Sequence, residues 1–395
     1  MPEHLQVGDR SPRVAEVRST LARLGMISEF EGEATRSESP QWRGDDDLFD
    51  DDLRTALLTF QQSRGILADG VIREDTLRLI REASYTLGTR VLNYDPVAPM
   101  IGDDVGKLQE RLQGLGFFDT RVDGHFGAIT EAAVRDYQLN SGLEPDGICG
   151  PKTFRALDYL GRSIKGGSQV KLKELEHVRA AGPKITGKKV FIDPGLGPDD
   201  PGMTVQGPYG AITEEEILWD LAARVEGRLV AAGAETIGSR PRTGNPTVAE
   251  RAELANAVGA DVVISLAADR FESEAANGVA SFYFGSRMGN NSILGERLSG
   301  LIQREIIART PLNDCRTHGR TWDLLRLTQM PTVEVSVGYL TNPGDVSVLT
   351  SPDHRDTIAE AIVVAVKRLY LSEDDDQPMT GTYSFVELLE AEREA

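Results

Sequence analysis

The second half of the chain alternates short runs of β-branched and aromatic residues with longer stretches of helical periodicity. This alternation constrains the fold more than any other feature. The strand-length runs are residues 189–193, 235–238, 262–266, 279–284 and 332–337. The stretches with apolar residues at helical spacing are residues 214–231, 248–258, 293–308 and 355–369. Helices interleaved with strands predict an α/β domain built on a mostly parallel or mixed sheet.

The first part of the chain contains an internal repeat. The spacing of Val14, Val17, Leu21, Leu24 and Gly25 recurs at Val105, Leu108, Leu112, Leu115 and Gly116. Further along, Phe60-Gln61, Gly65, Asp69-Gly70 and Thr76 match Tyr137-Gln138, Gly142, Asp146-Gly147 and Thr153. The apolar spacing is helical, and each Asp-Gly pair predicts a turn in which glycine takes a positive φ. Each copy is therefore predicted to be a small three-helix module, the first with an acidic insertion around residues 27–48.

Length and charge set broad limits. A chain of 395 residues suits two or three domains. Its 62 acidic residues outnumber the 43 basic residues and give a net charge of −19, which argues against a nucleic-acid or anionic-membrane surface. Acidic runs at 45–52 and 373–376 carry much of the excess and are typical of solvated loops.

Three observations favour a reducing compartment. The first nine residues contain neither a basic nor an apolar region, so we expect no secretory signal. No apolar run is long enough to span a bilayer. Cys149 and Cys315 are the only cysteines, so no disulfide framework is predicted. A cytoplasmic protein fits all three.

Two stretches at the ends of predicted strands look like a metal site without its ligands. They are Asp193-Pro194-Gly195-Leu196-Gly197 and Ser265-Leu266-Ala267-Ala268-Asp269. Both resemble the zinc-dependent N-acetylmuramoyl-L-alanine amidases, in which they read D-P-G-H-G and S-x-H-A-D. The resemblance implies zinc-binding histidines at the positions of Leu196 and Ala267. Neither an isobutyl nor a methyl side chain has a lone pair to donate.

The same resemblance locates the other two functional positions. The ligand glutamate falls within Glu214-Glu215-Glu216, with Glu214 favoured by its spacing to the apolar residues that follow. Acidic residues in a first helical turn, after Thr213 as N-cap, are an alternative explanation of this cluster. The general base belongs at Ser336, within residues 330–343, which resemble M-P-A-V-L-V-E-x-G-F-x-S-N. With one carboxylate left we expect no bound metal, no cofactor and no zinc hydrolysis.

Two other residues could take the place of the missing metal ligands or general base. Glu334 lies two residues before Ser336 and so shares its strand face, although a glutamate at a polar strand edge explains it more simply. His318 is predicted in a loop before Trp322, as a lone ligand or as a surface or hydrogen-bonded histidine.

The repeats resemble the peptidoglycan-binding helical repeat found beside many cell-wall hydrolases. The fold class is accordingly multidomain, with two small all-α peptidoglycan-binding-like modules followed by an α/β amidase-like domain with a mixed central sheet. The predicted segments are the first module at 6–87, the second at 98–160, a linker at 161–187, the amidase-like domain at 188–371 and a flexible acidic regulatory tail at 372–395. The repeated residues are mostly core and turn positions, so the modules could bind either glycan or protein.

The tail carries its own signals. Phe385, Leu388 and Leu389 have the i, i+3, i+4 spacing of a short partner-binding helix. Thr380 and Thr382 precede it, and a phosphate there would add about two negative charges beside a helix N-terminus. An ordinary frayed terminus is the alternative.

Over nearly its whole length, including residues 315–326 and the Thr-Gly-Thr tail, the chain resembles the cytoplasmic pseudoamidases of actinobacteria. The resemblance implies a phosphorylation-dependent regulator of peptidoglycan precursor biosynthesis. Its partners would be a membrane Ser/Thr protein kinase, the UDP-GlcNAc enolpyruvyl transferase that it activates, and a phosphothreonine-binding protein of the lipid II flippase complex. Thr382 is the favoured phosphoacceptor and Thr380 the second choice.

Two alternatives stay open. An active zinc-dependent amidase that hydrolyses peptidoglycan would require an unrecognised metal site and an unrecognised export route. A cytoplasmic sensor could instead bind muropeptides, other peptidoglycan fragments or lipid-linked precursors in the ligand-stripped cleft.

Overall fold

The structure, a computed structural model, describes residues 4–27, 47–64, 66, 68–161, 184–286, 291–370, 380–382 and 384–394. The chain divides into two compact units, Met1–Ser168 and Gln169–Ala395. Most of the acidic insertion and of the predicted linker, and the acidic run at 373–376, lie outside the described residues.

The first unit consists of two helical modules. The first module contains α1 (Pro12–Arg23), α2 (Asp51–Arg64) and α3 (Glu74–Ser84). The second contains α4 (Asp103–Gly114), α5 (Ala128–Asn140) and α6 (Pro151–Gly161). Each closes on its own apolar core, with Leu21 and Phe60 buried in the first and Phe126 and Tyr137 in the second. The prediction of two all-α modules is confirmed.

In both modules, a buried glutamine on a helix is hydrogen-bonded to the turn that follows that helix. The Gln61 Nε2 donates to Asp69 Oδ1 at 3.2 Å and to the Val71 carbonyl at 3.0 Å, and it lies 3.4 Å from Thr76 Oγ1. Its Oε1 accepts the Gly70 N–H at 2.9 Å. The amide therefore satisfies the turn's backbone and fixes where the next helix begins.

The same contact recurs in the second module. Gln109 bonds the turn at Asp123 and Gly124, and Gln138 bonds the turn at Asp146 and Gly147. At the position matching Gln109 the first module has a different pair of side chains. Arg18 donates to the Leu48 carbonyl at 2.7 Å and pairs with Asp50 at 2.9 Å. The first module has Asp50 where the second has Gly127, and Asp50 forms an ion pair with Arg18.

The second unit is built on a mixed sheet. Its strands are β1 (Lys189–Asp193), β4 (Glu235–Gly238), β5 (Val262–Asp269), β6 (Val279–Phe284), β7 (Asp314–Arg320) and β8 (Thr332–Tyr339). They lie in the order β4-β1-β5-β8-β6-β7, and β6 runs antiparallel to β8 while the other neighbours are parallel. The mixed α/β sheet is therefore confirmed.

Two parts of this unit lacked a strand signal in the sequence. A separate hairpin forms from β2 (Thr204–Gly207) and β3 (Gly210–Thr213). The edge strand β7 has the sequence Asp-Cys-Arg-Thr-His-Gly-Arg, with no apolar alternation. Its strand conformation comes from pairing with β6 rather than from local propensity.

Helices cover both faces of the sheet. They are α7 (Glu214–Ala231), α8 (Val248–Ala257), α9 (Ile293–Arg309), α10 (Asp323–Leu327), α11 (Pro343–Leu349) and α12 (Pro352–Tyr370). Ile192 and Ile264 point into the main core with residues of α7, α9 and α12. Phe191 and Val263 point the other way, against Ala255 of α8. Strand alternation therefore puts Asp193 and Ser265 on the α8 face, at the carboxyl ends of β1 and β5.

The described part of the tail contains a helix. It is α13 (Phe385–Glu394), whose Phe385 and Leu389 pack against the main core. Ser384 and Glu387 make reciprocal capping bonds at its start. The side chain of Leu388 lies outside the described residues. Phe385 and Leu389 therefore have apolar partners within the chain, and the flexibility of the segment 372–395 stays a prediction.

Within the described ranges, no helix combines the length and apolarity needed to cross a membrane.

Exchanging Gln61 for alanine should destabilise the first module by about 2 kcal/mol, because it leaves buried donors and acceptors of the turn unpaired. Gln62→Ala is the matched control, since Gln62 is the exposed neighbour on the same helix. Urea denaturation of both variants, with hydrogen exchange at the Gly70 amide, measures the difference. Equal losses of stability in the two variants would contradict the role given to Gln61.

Candidate functional site

The buried carboxylate of Asp193 organises the carboxyl edge of the sheet. Its Oδ1 accepts the Ser239 hydroxyl at 2.7 Å, and its Oδ2 accepts the Ser265 hydroxyl at 2.9 Å. Arg251 of α8 donates to both oxygens at 2.9 and 2.8 Å. Asp193 has no exposed surface. One charge therefore joins β1, the residue after β4, β5 and α8, with its lone pairs satisfied and its charge paired.

The loop after β1 is pressed against the end of β5. Gly195 has φ 69°, and a Cβ at this position would lie 2.6 Å from the Leu266 carbonyl oxygen. Only glycine fits this close approach without strain. The Leu196 carbonyl accepts a hydrogen bond from Arg240, whose side chain is fully buried. These contacts fix the backbone of Leu196 beside the end of β5.

The three consecutive glutamates have three different partners. Glu216 shares a capping box with Thr213, whose Oγ1 accepts the Glu216 N–H at 3.2 Å. Glu215 pairs with Arg240 at 2.9 Å. The side chains of Glu214 and Leu196 both lie against Gly202, where an added methyl group would collide with each of them. Glu214 is therefore beside Leu196. The carboxylate that the resemblance assigned to a metal ligand is thus next to the leucine.

An arginine provides the positive charge beside Glu214. The Glu214 Oε2 accepts the Met203 N–H at 3.1 Å and lies 3.4 Å from Arg270 Nη2. Burial raises the pKa of Glu214, Asp200 and Asp269 add to the rise, and the Met203 hydrogen bond and Arg270 oppose it. Arg270 follows the last residue of β5 and was not singled out from the sequence.

The other half of the site lies on two neighbouring strands. Ala267 of β5 and Ser336 of β8 are paired positions and therefore face the same way. The buried Ser336 donates its hydroxyl to Asp269 Oδ2 at 2.7 Å. The position of the general base is thus filled by a hydroxyl that is already bonded, and the second histidine position by a methyl group.

The four side chains do not fit a catalytic zinc ion. Such an ion needs three nitrogen, oxygen or sulfur ligands and an open position for water. Leu196 and Ala267 supply none, and the Glu214 carboxylate is bonded to Arg270 and Met203. Across the residues that the structure describes, no three His, Cys, Asp or Glu side chains come together in a metal-binding group. No zinc-dependent step can be derived from this donor set.

Glu334 is not at a strand edge, and that interpretation is wrong. Strand β8 lies between β5 and β6, where Glu334 is paired with Ser265 on one side and Phe282 on the other. Burial raises its pKa to about 7; the negative charges of Asp193 and Asp269 add to the rise and Arg251 opposes it. It is a partly buried carboxyl near Asp193 and Asp269, and its position between β5 and β6 could be known only from the strand order.

His318 lies on β7 rather than in a loop. Its Nε2 is 2.7 Å from the Cys315 carbonyl oxygen, and its ring stacks on Phe282 with centroids 5.7 Å apart. Burial lowers its pKa. These contacts account for a neutral, hydrogen-bonded histidine without a metal.

One candidate phosphoacceptor, Thr380, contacts α12, a helix that contributes none of the four cleft positions. Thr380 Oγ1 accepts from Arg368 Nη1 at 3.2 Å. Thr382 is exposed. The residues of the partner-binding prediction, Phe385 and Leu389, pack against the main core and are partly buried in this structure.

Exchanging Glu334 for glutamine should make the free energy of unfolding change less with pH. The carboxyl titrates near pH 7 when folded and near 4.5 when unfolded, so the folded state holds its proton more tightly. The stabilisation that the protonated Glu334 carboxyl contributes is complete below the pKa of the unfolded state, and it is lost as the pH rises through 7. Between pH 5 and pH 8 the glutamine variant should gain up to about 3 kcal/mol on the parent chain.

Urea denaturation at both pH values measures this gain, with Glu253→Gln as the control for an exposed glutamate on α8. Parallel pH profiles of the parent chain and the Glu334 variant would exclude a buried, protonated carboxyl.

Family models match one segment in each unit. Residues 190–368 match the model for N-acetylmuramoyl-L-alanine amidase. Residues 101–157 match the model for a putative peptidoglycan binding domain.

Two individual proteins and one solved structure are similar to parts or all of this chain. N-acetylmuramoyl-L-alanine amidase CwlM of Mycobacterium tuberculosis (strain H37Rv) is 52% identical over 385 residues, which are 98% of this chain and 94% of the relative. N-acetylmuramoyl-L-alanine amidase LytC of Bacillus subtilis (strain 168) is 30% identical over 178 residues, 45% of this chain and 34% of LytC. The crystal structure of an N-acetylmuramoyl-L-alanine amidase from Clostridium difficile 630 is 24% identical, covers 46% of this chain and 95% of its own, and has a TM-score of 0.42.

The similarity to CwlM spans both the helical modules and the α/β unit, so it applies to the whole arrangement rather than to one domain. The chain belongs to the N-acetylmuramoyl-L-alanine amidase family, with a peptidoglycan-binding-type helical region before the amidase-type domain.

Proposed function

We propose that this chain is a catalytically inactive amidase homologue that regulates peptidoglycan precursor biosynthesis. One observation carries the proposal: the cleft has the amidase framework but lacks the donors that amidase chemistry needs. Leucine, alanine and serine stand at Leu196, Ala267 and Ser336, and the remaining Glu214 is paired with Arg270. Losing a general base alone costs about 10²- to 10⁴-fold in rate, before the missing metal is counted.

The intact framework argues for a role that needs the fold but not the reaction. Asp193 is fully hydrogen-bonded, and Arg240 is buried against Glu215. A folded domain with a closed polar network can present a surface to another protein without doing chemistry.

The regulatory part of the proposal rests on the tail and on the resemblance over the whole chain. A Ser/Thr protein kinase would phosphorylate Thr382 or Thr380, and the modified chain would activate UDP-GlcNAc enolpyruvyl transferase. A phosphothreonine-binding protein of the lipid II flippase complex would read the same tail. This places the chain in the cytoplasm, near the membrane through its partners. The exposed side chain of Thr382, two residues before the cap of α13, supports it as the first choice.

Two other functions have observations in their favour. The CwlM relative is named an amidase, which favours an active zinc enzyme that hydrolyses peptidoglycan. The retained cleft and the match to a peptidoglycan-binding model favour a sensor of muropeptides or lipid-linked precursors. The net charge of −19 supports the exclusion of nucleic acid as a partner in each case.

Metal binding separates the regulator from the enzyme. The purified parent chain, dialysed with zinc, should retain no stoichiometric metal and release no peptide from muropeptides. The triple variant Leu196→His, Ala267→His, Ser336→Glu should bind zinc, because it restores two imidazoles and a carboxylate around Glu214. Adding Glu214→Gln to the triple variant should weaken that binding. Tightly bound zinc with peptide release by the parent chain would establish the enzyme instead.

The regulatory claim has a direct assay. Purified UDP-GlcNAc enolpyruvyl transferase should turn over faster with the kinase-treated chain than with the untreated chain. Thr382→Ala should abolish most of this stimulation, and Thr380→Ala should abolish less. An enolpyruvyl transferase rate that is the same with treated and untreated chain would refute the activator role, whatever the metal result.

A further inference from the structure

A fully buried carboxylate on α9 holds the turn that leads into the tail helix. The Oε2 of Glu305 accepts the Gly381 N–H at 3.1 Å and the Arg309 guanidinium at 2.8 Å. Its Oε1 accepts from Arg368 of α12. Glu305 has no exposed surface. One side chain therefore joins α9, α12 and the tail.

The turn itself is shaped to fit this place. Gly381 has φ 79°, and a Cβ there would lie 2.8 Å from the Ala308 Cβ. Arg309 also reaches the Gly381 carbonyl at 3.5 Å. Thr380 Oγ1 is 3.2 Å from the Arg368 nitrogen that also bonds Glu305. The Thr380 hydroxyl therefore faces the ion pair directly.

A second contact follows along the chain. Phe385 and Leu389 of α13 pack against the main core. The Phe385 N–H donates to Glu360 Oε1 at 3.2 Å, and the Arg228 guanidinium lies 5.9 Å from the Phe385 ring centre. The tail is thus attached to the α/β unit by the polar contacts of the turn and by two apolar side chains of α13.

We propose that the Glu305 turn is a charge-sensitive latch: a phosphate on Thr380 releases the tail helix, whereas a phosphate on Thr382 leaves it docked. This rests on the proposed regulatory role of the tail. It adds that the two phosphates have opposite effects on the tail. A phosphate on Thr380 exposes the docking face of α13, whereas a phosphate on Thr382 is presented on an ordered segment.

The physical basis is competition inside a small buried site. A phosphate dianion on Thr380 would contend with the Glu305 carboxylate for Arg368 and Arg309. A buried carboxylate that loses its partners pays a large desolvation penalty, so the turn would leave rather than share the arginines. Because Thr382 is exposed, a phosphate on it does not have to be desolvated, so it has less to gain from the two arginines that hold Glu305.

Two variants with the same charge change test the latch. Thr380→Glu and Thr382→Glu, made in the full-length chain, are compared by hydrogen–deuterium exchange over residues 384–394. The Thr380 variant should exchange about tenfold faster or more in this segment, as expected for losing a charge-assisted contact. The Thr382 variant should match the parent chain. Phe385→Ala with Leu389→Ala gives the reference rate for an undocked tail.

Further controls separate charge from misfolding. Thr380→Val removes the hydroxyl without adding charge and should change exchange much less than Thr380→Glu. Peptides from β5 should keep their protection in every variant, which excludes general unfolding. Equal exchange in the two glutamate variants, or slower exchange after Thr380→Glu, would overturn the proposal. No partner is present in this assay, so its result is independent of any effect on the enolpyruvyl transferase.

Discussion

The α/β unit depends on one buried charge, the carboxylate of Asp193. Desolvating an ionised carboxylate is costly unless every lone pair finds a donor, and here two serine hydroxyls and Arg251 provide the donors. The donors come from separate strands and from α8, so the network forms only when those elements are correctly placed. It fixes the edge of the sheet at which the loop after β1 and the start of α7 meet.

The framework of the cleft does not depend on the positions that the family resemblance assigns to a metal. The contacts that shape the cleft are distinct from the positions that would bind a metal, since Asp193, Gly195 and Arg240 make structural bonds. The ligand positions can then change one at a time at little cost to folding, provided that each remaining charge is paired. Arg270 pairs with Glu214, and the Ser336 hydroxyl donates a hydrogen bond to Asp269.

A second buried carboxylate of this unit, Glu305, is paired in a similar way. Glu305 is as deeply buried as Asp193 but takes its donors from α9, α12 and the tail turn. The two networks differ in one respect that matters for regulation. The partners of Asp193 lie on β5, on α8 and directly after β1 and β4, whereas one partner of Glu305 is the backbone of the tail turn. The tail turn contributes no strand to the sheet, so the second network can open while the first stays closed.

Much of the architecture was predictable because its signals are local. Apolar periodicity located the helical modules, most of the strands and the long helices, and the donor chemistry of Leu196 and Ala267 was readable from two short motifs. The hairpin β2–β3 and the strand β7 were missed because pairing, not propensity, makes them strands. The Gln61 contact was visible only as a repeated Gln and Asp-Gly pattern, without its bonding.

What the sequence by itself determined is the order of the domains and the absence of imidazole at the two positions where a zinc site would need it. Only the tertiary structure decided that Glu334 is enclosed between two strands, that Arg270 lies against Glu214, and that the tail is held by Glu305. The physical reason is the same in each case. Desolvation and charge pairing depend on residues far apart in the chain, and no local pattern records which of them will meet.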